Sequence, residues 1–311
     1  MSVFSTTAYL ETLAELGFPG RAAAVEVCRV EGVALRLLVL DGHEVVTTAP
    51  YYDFPLPLET PWTGPARPLR YVPRTVLQTT TVEARPAPSP GRHPSPYVDW
   101  SAFAGHAAFE AMVTGRIGNL LPDSRRRLRK LERDLGPLRF EFDDPRPEAF
   151  DACVRWKSAQ YRETGVEDLF ARPENVELFR RLRRRGVVVL SSLSAGETLV
   201  ATHLGGLADG RHSWWVPSYD PALAKYSPGR LMLHEILRES HARGHREFDF
   251  LIGDEAYKFH YATHSRLIGP LGTPPLGERV LDGLKTTTRA ALAAHPTLLS
   301  AARSVKHRLF D

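Results

Sequence analysis

Sulfur is scarce in this chain: of 311 residues, two are Cys and three are Met. Cys28 and Cys153 have no metal-ligand spacing and each is flanked by apolar residues, so a Cys-held metal is excluded and buried free thiols are expected. His260 and His264 have no partner at ligand spacing either, and no metal is assigned. No run of about 18 apolar residues occurs, which excludes a membrane-spanning helix. Met1 to Leu16 carries Glu11 and Glu15 and no cationic segment, so no signal peptide is read and a cytoplasmic protein is expected. Net charge is also small: 40 Lys and Arg against 36 Asp and Glu leave +4, a weak preference for anions at most.

What is present is ordinary globular composition, 43% hydrophobic and 24% charged. The length exceeds what one core usually serves, so two subdomains of roughly 150 residues are expected. Thr6 or Thr7 caps a first helix with Leu10, Leu13 and Leu16 on one face and Gly17 at its end. Strands follow at Val25 to Val30, Ala34 to Leu40 and, across Asp41-Gly42, Glu44 to Thr48. The tract from Pro50 to Pro96 is Pro-rich and reads as irregular, with Tyr51, Tyr52, Phe54 and Trp62 suited to a pocket edge or covering strap. Its end, Pro86 to Pro96, reads as extended and mobile. After a helix near His106 to Thr114, Ser124 opens a basic helix to Asp134, ended by Gly136. Leu128, Leu131 and Leu135 give that helix an inner stripe, and its Arg residues form either a solvated face or a surface for phosphates of a cofactor or RNA.

Helices at Pro147 to Glu163 and Pro173 to Arg185 precede a hairpin, Val187 to Leu193 and Thr198 to Leu207, turning at Ala195-Gly196. It shares with the earlier Asp41-Gly42 hairpin a small Gly turn, a Glu and a second strand ending in Thr, a sign of two similar α/β halves. The centre of the chain runs from Leu199 to Leu207, through Asp209-Gly210, to His212 to Tyr219. A helix from Gly229 to Gly244 then leads to a strand from Glu247 to Ile252. That helix is long enough for the crossover two parallel strands require. Its opening loop offers backbone N–H groups to an anion, although Pro228 contributes none. His264 to Leu271 reads as a last strand, and Gly277 to Ala294 and Thr297 to Leu309 as terminal helices.

The order from Ser124 to Ala262 resembles the GNAT acyltransferase superfamily, in the branch of CelD-like proteins and FemAB-like aminoacyltransferases. The residues that carry the resemblance are Trp156-Lys-Ser-Ala-Gln-Tyr-Arg-Glu-Thr-Gly165, Ser218-Tyr-Asp-Pro221, Ser227-Pro-Gly229 and Gly253-Asp-Glu-Ala-Tyr-Lys258. It implies a two-lobed α/β fold with a mixed central sheet flanked by helices. The first lobe (residues 1–115) would be degenerate, the catalytic lobe would span 116–275, and helices would follow at 276–311. The resemblance also implies amide formation: an acyl group passes from an activated carrier to the amine of a small acceptor, in a split between two parallel strands.

Acyl-CoA, slightly favoured by the resemblance, and aminoacyl-tRNA are the co-substrates it offers, with no tightly bound cofactor. A non-catalytic binding module of the same fold is the alternative of another class. Lys258 is implied as the fixed cation beside the oxyanion. Asp249 and Asp254 are candidate bases, and Tyr257 the leaving-group acid. Ser227, Gly229 and Arg230 would hold the carrier, where Leu231 departs from the small residue that CoA enzymes of the superfamily carry, and Arg126 and Arg129 would serve a tRNA. Trp156, Lys157, Tyr161, His203, Trp215, Tyr219 and Glu255 are candidates for the acceptor pocket.

Overall fold

The computed structural model describes residues 3–30, 33–42, 44–45, 71–87, 89 and 91–272. In chain order its elements are α1 (Thr7–Gly17), β1 (Ala22–Val30), β2 (Val33–Leu40), β3 (Glu44–Val45), β4 (Tyr71–Thr81) and β5 (His93–Asp99). Next come α2 (His106–Arg116), α3 (Leu120–Leu135), β6 (Leu138–Glu141), α4 (Pro147–Glu163), α5 (Pro173–Arg184), β7 (Val188–Ala195) and β8 (Thr198–Ala208). The last are β9 (Arg211–Tyr219), α6 (Pro228–Ala242), β10 (Glu247–Asp249), α7 (Ala256–Tyr261) and β11 (His264–Gly272). The aromatic tract Tyr51 to Trp62 and both terminal helices read from the sequence lie outside the described residues. Two compact units result: residues up to Pro96 with Ile252–Asp254 and the segment from His264, and Tyr97–Leu251 with Glu255–Thr263.

In the first unit Thr6 caps α1, its side chain accepting from the Tyr9 N–H at 3.2 Å, and Leu10, Leu13 and Ala14 are buried. β1 and β2 pair antiparallel from Ala22↔Leu40 to Val30↔Val33. Asp41 and Gly42, both at positive φ, lie in the three-residue connection between the paired Leu40 and Glu44 that turns β2 into β3. β4 pairs antiparallel with β11. This corrects the reading of Pro50 to Pro96 as irregular, since the tract holds β4 and the first residues of β5. Pro73 hides the strand in the sequence, and it is tolerated because β4 ends its sheet and is bonded along one side.

In the second unit the sheet order is β5-β10-β9-β8-β7-β6, with every neighbour pair antiparallel except β9 and β10. α6 is the right length to carry the chain between those two parallel strands. Every residue of β7 and the middle of β8 are buried, as strands covered on both faces must be. α4 and α6 pack on β8 and β9, and α5 packs on β7. α3 begins at Leu120, four residues before the expected Ser124, because Pro122 fits a first helical turn and Asp123 complements its positive end. Its stripe is as expected, with Leu131 fully buried. Cys153 is a buried free thiol. No described helix is long and apolar enough to cross a membrane.

Candidate functional site

β9 and β10 pair over three residues only, Arg211↔Glu247, His212↔Phe248 and Ser213↔Asp249. Beyond that point β9 runs on to Tyr219 while the chain leaves the sheet after Asp249, so the parallel pair opens into a split. The expected strand to Ile252 is thus cut to three residues. The cause is Leu251, a buried non-glycine residue at φ +58, a left-handed conformation costly for a bulky side chain. Asp249 holds it there: Oδ1 accepts from the Leu251 N–H at 2.8 Å, while Oδ2 lies 3.8 Å from Arg211 Nε. Arg211 also donates to Glu247 at 2.9 Å, so a buried ionic cluster closes the split at its base.

One wall of the split comes from α4. Lys157 Nζ donates to the Pro217 carbonyl on β9 at 3.3 Å and to Gln160 Oε1 at 3.0 Å, and lies 5.1 Å from the centre of the Tyr161 ring. Lys157 and Tyr161 meet because they are four apart on one helix face. Burial around the ammonium brings its pKa down to about 8, although Cys153 and Glu255 pull the other way. Below it a buried polar chain joins α4 to the sheet: Ser218 Oγ lies 3.4 Å from Cys153 Sγ and 2.7 Å from Thr202 Oγ1.

The other wall is α7, a single short helix. The Tyr257 hydroxyl accepts from Trp214 Nε1 at 3.1 Å, and burial raises its pKa far enough to keep the phenol neutral. Lys258 is buried, with Nζ 3.1 Å from Glu255 Oε2 at the start of the helix. Arg116 of α2 donates to the Phe259 and Ala262 carbonyls, which satisfies the C-terminal end of α7. The floor of the split is β8 and β9. His203, fully buried, accepts from the Trp215 N–H at 3.2 Å and stacks on Trp214 at 4.5 Å between ring centres. Burial takes its pKa down to about 3.

At the mouth, Ser227 adopts φ +53 at the start of α6, and Gly229 faces Tyr219, whose ring a Cβ there would meet at 3.6 Å. The anion cradle expected here is thin. Pro228 has no N–H, and the N–H groups of Ser227 and Arg230 already bond the Ala224 and Ser227 carbonyls, leaving that of Gly229. The Arg230 side chain turns away and pairs with Asp123 on α3, so it does not serve the cradle as expected. Asp123 also pairs with Arg126 and Arg127, and these three guanidiniums hold its carboxyl well below the usual range against the opposing effect of burial.

The split therefore gathers Lys157, Tyr161, His203, Tyr219, Glu255, Tyr257 and Lys258, whereas the ring of Trp215, a candidate for the acceptor pocket, packs on Phe179 of α5 at 4.9 Å between ring centres. Arg126 and Arg129 stand exposed on α3, Trp156 is half-buried on α4, and Asp254 is exposed. Sequence reasoning missed Trp214 as the partner of Tyr257, Arg211 as the clamp of Glu247 and Asp249, and the Asp123 hub. Only the hub left a signal, since Asp123 precedes Arg126 and Arg127 by three and four residues on one helix.

Residues 122–259 match the model of the acetyltransferase (GNAT) domain. No protein of curated function matches the chain. Among solved structures, FemX aligns over 86% of this chain and 90% of its own at 9% identity, with a TM-score of 0.54, a likeness of fold. L-PGS from Bacillus licheniformis aligns over 77% of this chain and 74% of its own at 12% identity and a TM-score of 0.42. A conserved protein of unknown function from Bacteroides thetaiotaomicron VPI-5482 shares 10% identity over 66% of this chain, with a TM-score of 0.41, and the chain spans 64% of its length. The mixed sheet flanked by helices is the GNAT fold, which the family match over residues 122–259 and the likeness in fold to FemX support.

Proposed function

With residues 122–259 a GNAT acetyltransferase domain, we propose that this chain makes amides by direct transfer of an acyl group to an amine, with Lys157 as the base. The observation that carries this reading is Lys157 itself: a lysine bonded to β9 at Pro217, in the open part of the split, with its pKa brought to about 8. Near neutral pH a fraction of such an amine is uncharged and can take a proton. The acceptor nitrogen attacks the acyl carbonyl, its proton passes to Lys157, and the bond to the carrier breaks as the neutral Tyr257 hydroxyl protonates the leaving atom. Lys258, held by Glu255, supplies a fixed cation to the oxyanion. Asp249 is assigned to holding the Leu251 turn, in place of the base role the sequence offered it.

For the donor, the loop before α6 is the guide. A pyrophosphate needs converging N–H groups, and this loop keeps one, with Arg230 committed to Asp123. An aminoacyl ester on tRNA suits the site better than acyl-CoA: Arg129 is exposed, and the pair of Arg126 with Asp123 lies at the surface, where a phosphate can replace the carboxylate, whereas Arg230 is largely buried against it. Titrating the protein with acetyl-CoA and with aminoacylated tRNA at two salt concentrations tests this. Salt-sensitive tRNA binding that weakens on replacing Arg126 and Arg129 is expected, and micromolar CoA binding overturns the donor. The base is tested separately by Lys157→Met: kcat falls by about 100-fold and the rise of rate with pH near 8 disappears. A variant that keeps that rise and its rate refutes Lys157.

A further inference from the structure

β9 carries a bulge beside the split. Its register with β8 runs from Leu204↔Val216 to Gly206↔Ser213, so two residues, Trp214 and Trp215, stand opposite the single Gly205. A bulge of this kind re-aims side chains. Here the backbone N–H of Trp215 donates to His203 Nε2 at 3.2 Å, and the His203 ring stacks on the Trp214 indole at 4.5 Å between centres and 22° between planes. Gly205 makes room for that stack, since a Cβ there would stand 2.7 Å from His203 Cε1. Phe248 of β10 lies 6.3 Å from the indole, which is 3% exposed. The plane of Trp214 is thus set by its neighbours, and its Nε1 is directed at the Tyr257 hydroxyl, 3.1 Å away.

An indole N–H only donates. Tyr257 is therefore the acceptor in this bond, and Trp214 makes no claim on the phenol proton. The bond also acts on the charge of the oxygen. Burial, and after it the Glu255 carboxylate, make the phenol reluctant to lose its proton, while the Trp214 N–H pulls the other way by stabilising the phenolate. A hydrogen bond to an ionised oxygen is roughly twice as strong as one to a neutral oxygen, so this one strengthens as the proton leaves. It counts for more in the transition state than in the resting protein, which is the condition for raising kcat.

We propose that Trp214 is a positioning residue for acyl transfer, its indole N–H holding the Tyr257 hydroxyl and stabilising the oxygen while the phenol proton passes to the leaving atom. The O–H bond of Tyr257 breaks as the bond from hydrogen to the leaving atom forms, and Tyr257 regains a proton from water once the carrier has left. The inference rests on the acyl-transfer reading, and Trp214 acts through Tyr257 alone.

Two measurements test it. In the free protein the indole N–H resonance of Trp214, identified by its loss in Trp214→Phe, should move upfield in Tyr257→Phe by more than that of any other indole. An unmoved resonance overturns the proposal and leaves the acyl-transfer reading standing. Discharge of bulk aminoacylated tRNA into a mixture of small primary amines is then followed for the wild type, both single variants and the double variant. Trp214→Phe keeps a ring for His203 to stack on, and it should lower kcat by about 10-fold with the KM for tRNA unchanged. In the Tyr257→Phe background the same substitution should cost nothing further. An equal loss in both backgrounds means that Trp214 only packs, and it overturns the proposal, as does an unchanged kcat. No discharge by the wild type above the spontaneous rate overturns the acyl-transfer reading, and this proposal with it.

Discussion

Acidifying the protein from about pH 7.5 to about pH 5.5, well short of carboxylate titration, should strip several kcal/mol from its stability. The perturbed groups are His203 and His212, both fully buried and neighbours at 5.6 Å between ring centres. His203 Nδ1 and both nitrogens of His212 have no hydrogen-bond partner among the described residues. Burial brings the pKa of His203 down to about 3 and that of His212 well below its ordinary value, with His203, His245 and Arg243 adding to the effect on His212.

In the unfolded chain both rings take a proton below about pH 6.5, while the folded protein refuses it. The unfolded state then binds more protons, so stability is complete above about 6.5 and is lost as the pH falls from there toward 3. One unit below 6.5 each ring costs about 1.4 kcal/mol, about 3 kcal/mol for the pair. For a unit of this size that lowers Tm by about 6–12 °C. His234, whose pKa burial also brings down to about 3, adds about as much as either ring, and His106, His245 and His260 are displaced in the same direction. Asp123 and Asp144, stabilised as carboxylates, matter only near and below their unfolded pKa close to 4 and leave this window alone. Thermal unfolding by circular dichroism at the two pH values measures the effect, and His212→Phe should remove one ring's share of it. A Tm that changes by less than about 2 °C would refute the reasoning.

Gly205 on β8 lies opposite a bulge in β9 and against the same rings: a Cβ there would stand 2.4 Å from His212 Nε2 and 2.7 Å from His203 Cε1. Gly205→Ala should cost about 1–3 kcal/mol in urea unfolding, because neither ring has room to retreat. Lys258→Ala should slow acyl transfer by about 100-fold or more with the fold intact by circular dichroism, and unchanged turnover would remove Lys258 from the chemistry.

Local rules carried much of the fold. Thr6 and Gly17 bound α1, Asp41-Gly42 turns a hairpin, and the spacing of Leu128 and Leu131 orients α3, each through interactions within a few residues. The crossover by α6 followed from its length, which fixed β9 and β10 as parallel and so located the split. The resemblance at Trp156 to Gly165 and at Gly253 to Lys258 pointed to α4 and α7, which stand on either side of the split. β4 was hidden by Pro73, and the end of β10 by a left-handed Leu251 that no propensity announces.

The sequence by itself therefore determined which elements form and that β9 and β10 run parallel, since hydrophobic period, turn residues and crossover length act locally. Tertiary structure alone decided what each ionisable group does. Arg230 is spent on Asp123, 107 positions away, Asp249 holds a turn, and the pKa of Lys157 comes down to about 8 because the surrounding protein takes its ammonium out of water. Charge state depends on burial and on partners remote in sequence, and neither is written in the order of the residues.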